Sequence, residues 1–196
     1  LMLRGNIGKK GAGACPVRGH SNVQGNRTVG INEKPSMAFL DALERQYSFS
    51  APRNAGFNTV ESIQAMLTDK AKVFIALGGN FAAATPDTHR TYKALQKCDL
   101  TVQISTKLNR SHLMTGKQAL ILPCLGRTEI DRQTTGEQSI TVEDSMSMVH
   151  SSKGQNEPAS KLLYSETAII AGIATASVGT EIVDWCKLAS DYALIR

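Results

Sequence analysis

A chain of 196 residues, 41% hydrophobic and 20% charged, has the size of one globular domain able to bury a substantial core. Aromatic residues make up only 5%, so the core rests on Ala, Val, Ile, Leu and Met, which suits helices layered on a sheet better than an aromatic-rich β-sandwich. The net charge of +5 favours an anionic ligand, yet the basic residues form no run of five and interleave with no aromatics, which argues against nucleic acid. No apolar run approaches the ~20 residues of a membrane span, and the start lacks the order of a secretory signal.

In chain order, the opening Leu-Met-Leu-Arg reads as the middle of an element, as in a fragment of a longer protein. Residues 5–30 carry Gly5, Gly8, Gly11, Gly13, Gly19, Gly25 and Gly30, a density that predicts a long irregular loop with exposed N–H groups. A helix is predicted over residues 36–47, with Ser36 as cap and Phe39, Leu40, Leu43 and Tyr47 on one face. A second follows over residues 58–70, where Asn58 and Glu61 have capping-box spacing and Val60, Ile63 and Leu67 recur at helical period.

Residues 72–77 form a short apolar run that reads as a buried parallel strand, closed by Gly78-Gly79-Asn80. Thr85-Pro86 opens a third helix with Tyr92 and Leu95 inward. Residues 100–104 are the next strand, 109–114 a short helical turn and 118–123 a third strand. Residues 139–142 and 147–149 suggest two more strands, and helices from about Ser165 and Thr180 close the chain. This alternation predicts an α/β fold, Rossmann-like or flavodoxin-like, in three layers with a mainly parallel sheet and helices on both faces. The organisation reads as a glycine-rich segment over 1–35 and an α/β domain over 36–196.

In such a sheet, ligands sit at the carboxyl ends of the strands. Two loops fit: Gly78-Gly79-Asn80 and the basic, polar stretch Ser105-Thr106-Lys107 through Asn109-Arg110. Glycines allow backbone to approach a phosphate or ribose, and Asn80, Ser105, Thr106 and Asn109 offer hydrogen bonds. Alone, Gly-Gly-Asn after a strand is as often only a turn.

The combination is more specific. The 21 residues Gly5-Asn-Ile-Gly-Lys-Lys-Gly-Ala-Gly-Ala-Cys-Pro-Val-Arg-Gly-His-Ser-Asn-Val-Gln-Gly25 resemble the segment of molybdopterin oxidoreductases, formate dehydrogenases above all, that runs beside the metal and pterin. The Gly78-Gly79-Asn80 loop resembles that family's Gly-x-Asn/Asp-Pro nucleotide loop. Asn109-Arg-Ser-His-Leu-Met through Leu120-Ile-Leu-Pro123 resembles its Thr-x-Thr-Ala…Ala-Asp-Val-Ile-Leu-Pro stretch, so the resemblance spans most of residues 5–145 in the same order.

The resemblance implies a bis-(molybdopterin guanine dinucleotide) cofactor on molybdenum or tungsten and a domain that holds one guanine nucleotide half. The cofactor-binding positions become Gly19, Gly78, Gly79, Asn80, Ser105, Thr106 and Asn109, and the catalytic ones Arg18 and His20, which match the family's Arg-Gly-Gln. His20 stands in place of that Gln, Phe81 in place of the Pro after Asn80, and Ser105 in place of a common acidic residue. The family's metal ligand, and any iron–sulfur cluster, belong to parts outside these residues, so the partners implied are the cofactor and other domains of the same polypeptide. Two rival readings stay open: a non-catalytic nucleotide- or cofactor-binding module derived from the family, and a binder of a common dinucleotide, although no strand here is followed by GxGxxG and an acid ~20 residues on.

Individual residues carry alternatives. Arg18 either holds a substrate carboxylate or pairs with phosphates or a neighbouring domain. His20 either exchanges protons or anchors its loop. His89 reads as a surface residue, and His112 and His150 have no partner at metal-ligand spacing, so no residue is assigned to a metal. Cys15 reads as a small packing residue. Cys15, Cys98, Cys124 and Cys186 form no CxxC pair and point to intracellular thiols in a cytoplasmic protein. The stripes Ile169, Ile170, Ile173 and Ile182, Trp185 read as core or as contacts with other domains.

Overall fold

The computed structural model describes residues 1–14, 20 and 22–195. In chain order the elements are helices α1 (Val23–Thr28), α2 (Met37–Tyr47) and α3 (Thr59–Leu67), strand β1 (Val73–Leu77), helices α4 (Phe81–Ala84) and α5 (Thr88–Lys97), and strands β2 (Leu100–Ser105) and β3 (Gln118–Pro123). The short pairs β4 (Arg132–Gln133) with β5 (Gly136–Glu137) and β6 (Ile140–Glu143) with β7 (Val149–Ser152) come next, followed by helices α6 (Glu166–Val178) and α7 (Trp185–Ser190). Single 3-10 turns lie at Met2–Arg4, Arg110–Leu113 and Tyr192–Leu194. The chain divides into two compact units, one of Leu1–Asn32 with Thr141–His150, the other of Glu33–Ile140 with Ser151–Arg196.

The larger unit is built on a three-stranded sheet in the order β1-β2-β3, parallel throughout, with Val73 beside Leu100 and Leu100 beside Gln118. Side chains alternate along a strand, so β2 shows two different faces. Leu100, Val102 and Ile104 pack with Leu122 against Ile169 and Ile173 of α6. The opposite face of the sheet packs Phe74 against Ile63 and Met66 of α3 and Ala94 and Leu95 of α5. Helices therefore cover both faces of a parallel sheet, the predicted α/β architecture. Thr101 and Gln103, buried in the central strand, stay hydrogen-bonded: Thr101 Oγ1 accepts the Gly116 N–H at 3.2 Å, and Gln103 Nε2 donates to Ser111 O at 3.5 Å.

The caps explain where the helices begin. Ser36 accepts the Phe39 N–H, Asn58 and Glu61 form a full capping box, and Ser165 accepts the Ala168 N–H. Four expectations need correction. Thr85-Pro86 does not open a helix: the carboxylate of Asp87 caps α5 by accepting the Arg90 N–H at 3.0 Å, while Thr85 Oγ1 turns inward to Thr91 at 2.6 Å. The last helix starts after Asp184 rather than near Thr180, because Asp184 supplies the cap to Lys187 N–H. The paired strands lie at Ile140–Glu143 and Val149–Ser152, slightly later than predicted, since Asp144 through Met148 form the connecting turn. The glycine-rich segment is not irregular throughout, since α1 forms across Gly25.

Candidate functional site

Because the three strands are parallel, the loops that follow them leave the sheet at the same edge. After β1 the chain turns through Gly78 and Gly79, both left-handed at φ +68° and +72°, and Asn80 leads into α4. A Cβ on either glycine would meet open space, so the backbone conformation, not crowding, calls for glycine.

The second loop is tied to the first. Asn109 Nδ2 donates to Gly79 O at 2.7 Å, and Ser111 Oγ donates to Asn80 Oδ1 at 2.9 Å while accepting the Ala82 N–H at 2.9 Å. Asn109 Oδ1 also accepts the Ser111 N–H at 2.9 Å, and His112 Nδ1 accepts the Asn109 N–H at 3.0 Å. That last bond puts the neutral imidazole proton on Nε2, which is buried with no partner among the described residues. Ser105 Oγ closes the loop on itself by donating to Lys107 O at 2.7 Å.

The third loop joins at Gly126, where an added Cβ would stand 3.9 Å from Thr106 Cγ2. Glu129 accepts the N–H groups of Gly126 and Ala159 at 2.6 and 2.7 Å, and these bonds hold its carboxyl below the usual range.

The sequence-predicted positions Gly78, Gly79, Asn80, Ser105, Thr106 and Asn109 are thus gathered at one sheet edge. The amides of Asn80 and Asn109 both brace one loop against the other. His20 is exposed on a bend in the smaller unit, and Arg18 and Gly19 lie outside the described residues. Sequence reasoning missed Ser111, the buried node between the loops. Its available signal was the pattern Asn109-x-Ser111-His112, which is that of a capped turn.

Charge distinguishes the two ends of the sheet. At the amino-terminal edge Lys72 and Lys97 pair with Asp69 at 3.5 and 3.1 Å and Lys117 with Asp99 at 2.7 Å, while exposed Lys70 makes no ion pair among the described residues. The paired lysines hold both aspartates below the usual carboxylate range. At the carboxyl edge Lys107, Arg110 and Arg127 are exposed and make no ion pair among the described residues, and the two carboxylates of the third loop are engaged elsewhere, Glu129 by backbone N–H groups and Asp131 by the Tyr192 hydroxyl and Gln133 Nε2. An apolar cavity of about 360 Å³ lies elsewhere, between Tyr47, Phe49, Val178, Ile182 and Trp185.

No family model matches the chain. Over its whole length it is 53% identical to protein YdeP of Escherichia coli K12 and 55% identical to an uncharacterized oxidoreductase, Rv2900c, of Mycobacterium tuberculosis. Over 52% of its length it is 33% identical to F420-dependent formate dehydrogenase 1 subunit alpha of Methanococcus maripaludis, covering 16% of that protein. The chain spans only about a quarter of the first two relatives, 26% and 25% of their lengths. No helix among the described residues is long and apolar enough to cross a membrane. The chain is therefore an α/β domain similar throughout to one quarter of larger proteins, several of them named oxidoreductases.

Proposed function

We propose that this chain is the nucleotide-holding part of a molybdenum or tungsten oxidoreductase related to formate dehydrogenase, and that its three strand-end loops hold the guanosine phosphate half of one molybdopterin guanine dinucleotide. The observation that carries the reading is the difference in ion pairing between the two edges of the sheet. Lys107, Arg110 and Arg127 make no ion pair among the described residues at the edge where an open parallel sheet receives ligands, whereas Lys72, Lys97 and Lys117 at the opposite edge are ion-paired. A pyrophosphate fits that cationic rim, and the left-handed Gly78-Gly79 turn lets backbone approach it. The likeness over half the chain to a formate dehydrogenase alpha subunit supports the same cofactor class.

When bound, the cofactor supplies two-electron chemistry at its metal, and this chain supplies binding and orientation. Lys107, Arg110 and Arg127 offset phosphate charge. Asn80, Ser105 and Thr106 offer polar groups to ribose and base, and Asn109 keeps the loops at fixed spacing. Gly19 adjoins the cofactor, Arg18 holds an anionic substrate by charge-assisted hydrogen bonds, and His20 exchanges a proton beside it. Other domains of the same polypeptide complete the enclosure, and the half-exposed Val73, Ile75 and Leu77 of β1 offer them an apolar face. A cytoplasmic location, in keeping with free thiols at Cys98, Cys124 and Cys186, belongs to the same proposal.

Metal and pterin analysis of the full-length protein tests the reading. Asn80→Ala with Asn109→Ala unties the loops and should lower cofactor content, whereas Arg18→Ala should leave content intact and reduce turnover. Full cofactor content in the double variant refutes the nucleotide site, and unchanged turnover in Arg18→Ala removes that residue from the reaction.

A further inference from the structure

Asn22 stands where an Asn side chain ordinarily caps a helix, yet its side chain makes no cap to α1. Its carboxamide turns to the edge of β6: Oδ1 accepts the Glu143 N–H at 2.9 Å, and Nδ2 donates to Thr141 O at 3.5 Å. Residues two apart in a strand present N–H and C=O on one edge, so the carboxamide pairs with β6 as the peptide group of a neighbouring strand would. Gly25 makes this possible, because a Cβ there would overlap the Asn22 side chain folded over the first turn of α1.

The stretches joined in this way are 121 residues apart in sequence and belong to one compact unit. One carries His20, two residues before Asn22. The other carries the exposed Asp144–His150 pair, 2.7 Å apart across the hairpin turn. Asp144 Oδ1 also accepts the N–H groups of Met146 and Met148 at 2.8 and 3.1 Å, which fixes the turn that presents the pair.

We propose that Asn22 is a positioning residue: its carboxamide clips the segment carrying His20 to β6, within the compact unit that also carries the Asp144–His150 pair, and so holds His20 at the substrate end of the cofactor. The location at the substrate end rests on the reading given above, whereas the clip itself does not.

Amide exchange over residues 141–150 of the full-length protein as purified reads the clip. Asn22→Ala should speed exchange at Glu143 by about tenfold, the worth of one hydrogen bond. Asn22→Asp, which keeps the 2.9 Å acceptor, should retain most of the protection. Gly25→Ala should match Asn22→Ala, and the Asn22→Ala/Gly25→Ala double variant should show no more than either single change, because both remove the same bond. In the dithionite-reduced protein, the paramagnetic resonance of the metal should change in Asn22→Ala and be restored in Asn22→Asp, with metal and pterin content equal to wild type. Unchanged exchange in Asn22→Ala, or multiplying effects in the double variant, overturns the clip. Faster exchange with an unaltered metal signal makes Asn22 merely structural and overturns the positioning role. A wild-type protein without metal overturns the nucleotide reading and the substrate-end location together, and exchange still decides the clip.

Discussion

Gly79 and Gly126 both lie in the candidate site, and they respond to an added methyl group for different reasons. Gly79 has φ +72° and open space around its Cα, so Gly79→Ala meets backbone strain of about 1–2 kcal/mol. Gly126 has no left-handed φ, and an added Cβ would make ordinary contacts at 3.4 and 3.9 Å, so Gly126→Ala should stay within about 0.5 kcal/mol of wild type. Chemical denaturation separates the two, and equal costs would contradict the strain argument. Residue by residue, the polar positions after β1 and β2 were legible in the sequence, but their tasks were not. A polar side chain at a strand end serves a ligand or a neighbouring loop equally well in one dimension. Only the fold shows Asn109 reaching 30 residues back to Gly79.

The elements that sequence alone located are those with a local cause. The capping box at Asn58 and the Ser165 cap are short-range bonds written in adjacent residues, and the apolar runs locate β1, β2 and β3, although only β2 is buried and the β1 run, read as a buried strand, leaves Val73, Ile75 and Leu77 half-exposed. The starts of α5 and α7 were misplaced because Asp87 and Asp184, not Thr85-Pro86 or Thr180, supply the local caps, whereas the bonds that hold the residues after α7 depend on distant partners of Tyr192. Tyr192 is buried, and its hydroxyl donates to Asp131 and lies 2.7 Å from Ser165 Oγ, linking the end of the chain to the start of α6. Burial, reinforced by Asp131, raises its pKa to about 12 from an ordinary value of 10. A folded-state pKa above the unfolded one gives stability that is complete below pH 10 and declines as pH rises toward 12. Tyr192→Phe should lower stability at neutral pH by about 1–2 kcal/mol, leaving Asp131 short of a donor, and should flatten the decline between pH 10 and 12. Unfolding midpoints measured against pH check both, and an unchanged alkaline slope in Tyr192→Phe assigns that slope elsewhere.

Across the whole molecule, the net charge of +5 is less informative than its placement. At the amino-terminal edge of the sheet Lys72, Lys97 and Lys117 pair with Asp69 and Asp99, and at the carboxyl edge Lys107, Arg110 and Arg127 are exposed in the loops that follow β2 and β3. Composition signalled an anionic ligand, but only the fold separates the paired cations from the unpaired ones. The most direct test exploits that separation in the full-length protein by removing three positive charges from either edge. Lys107→Ala/Arg110→Ala/Arg127→Ala should lower bound metal and guanine nucleotide at least tenfold. Lys72→Ala/Lys97→Ala/Lys117→Ala, which breaks exposed ion pairs of about 0–1 kcal/mol each and the exposed bond from Lys97 to Leu67 O, should leave both near wild type. Equal cofactor content in the two triple variants would contradict the assignment of the carboxyl edge as the nucleotide site.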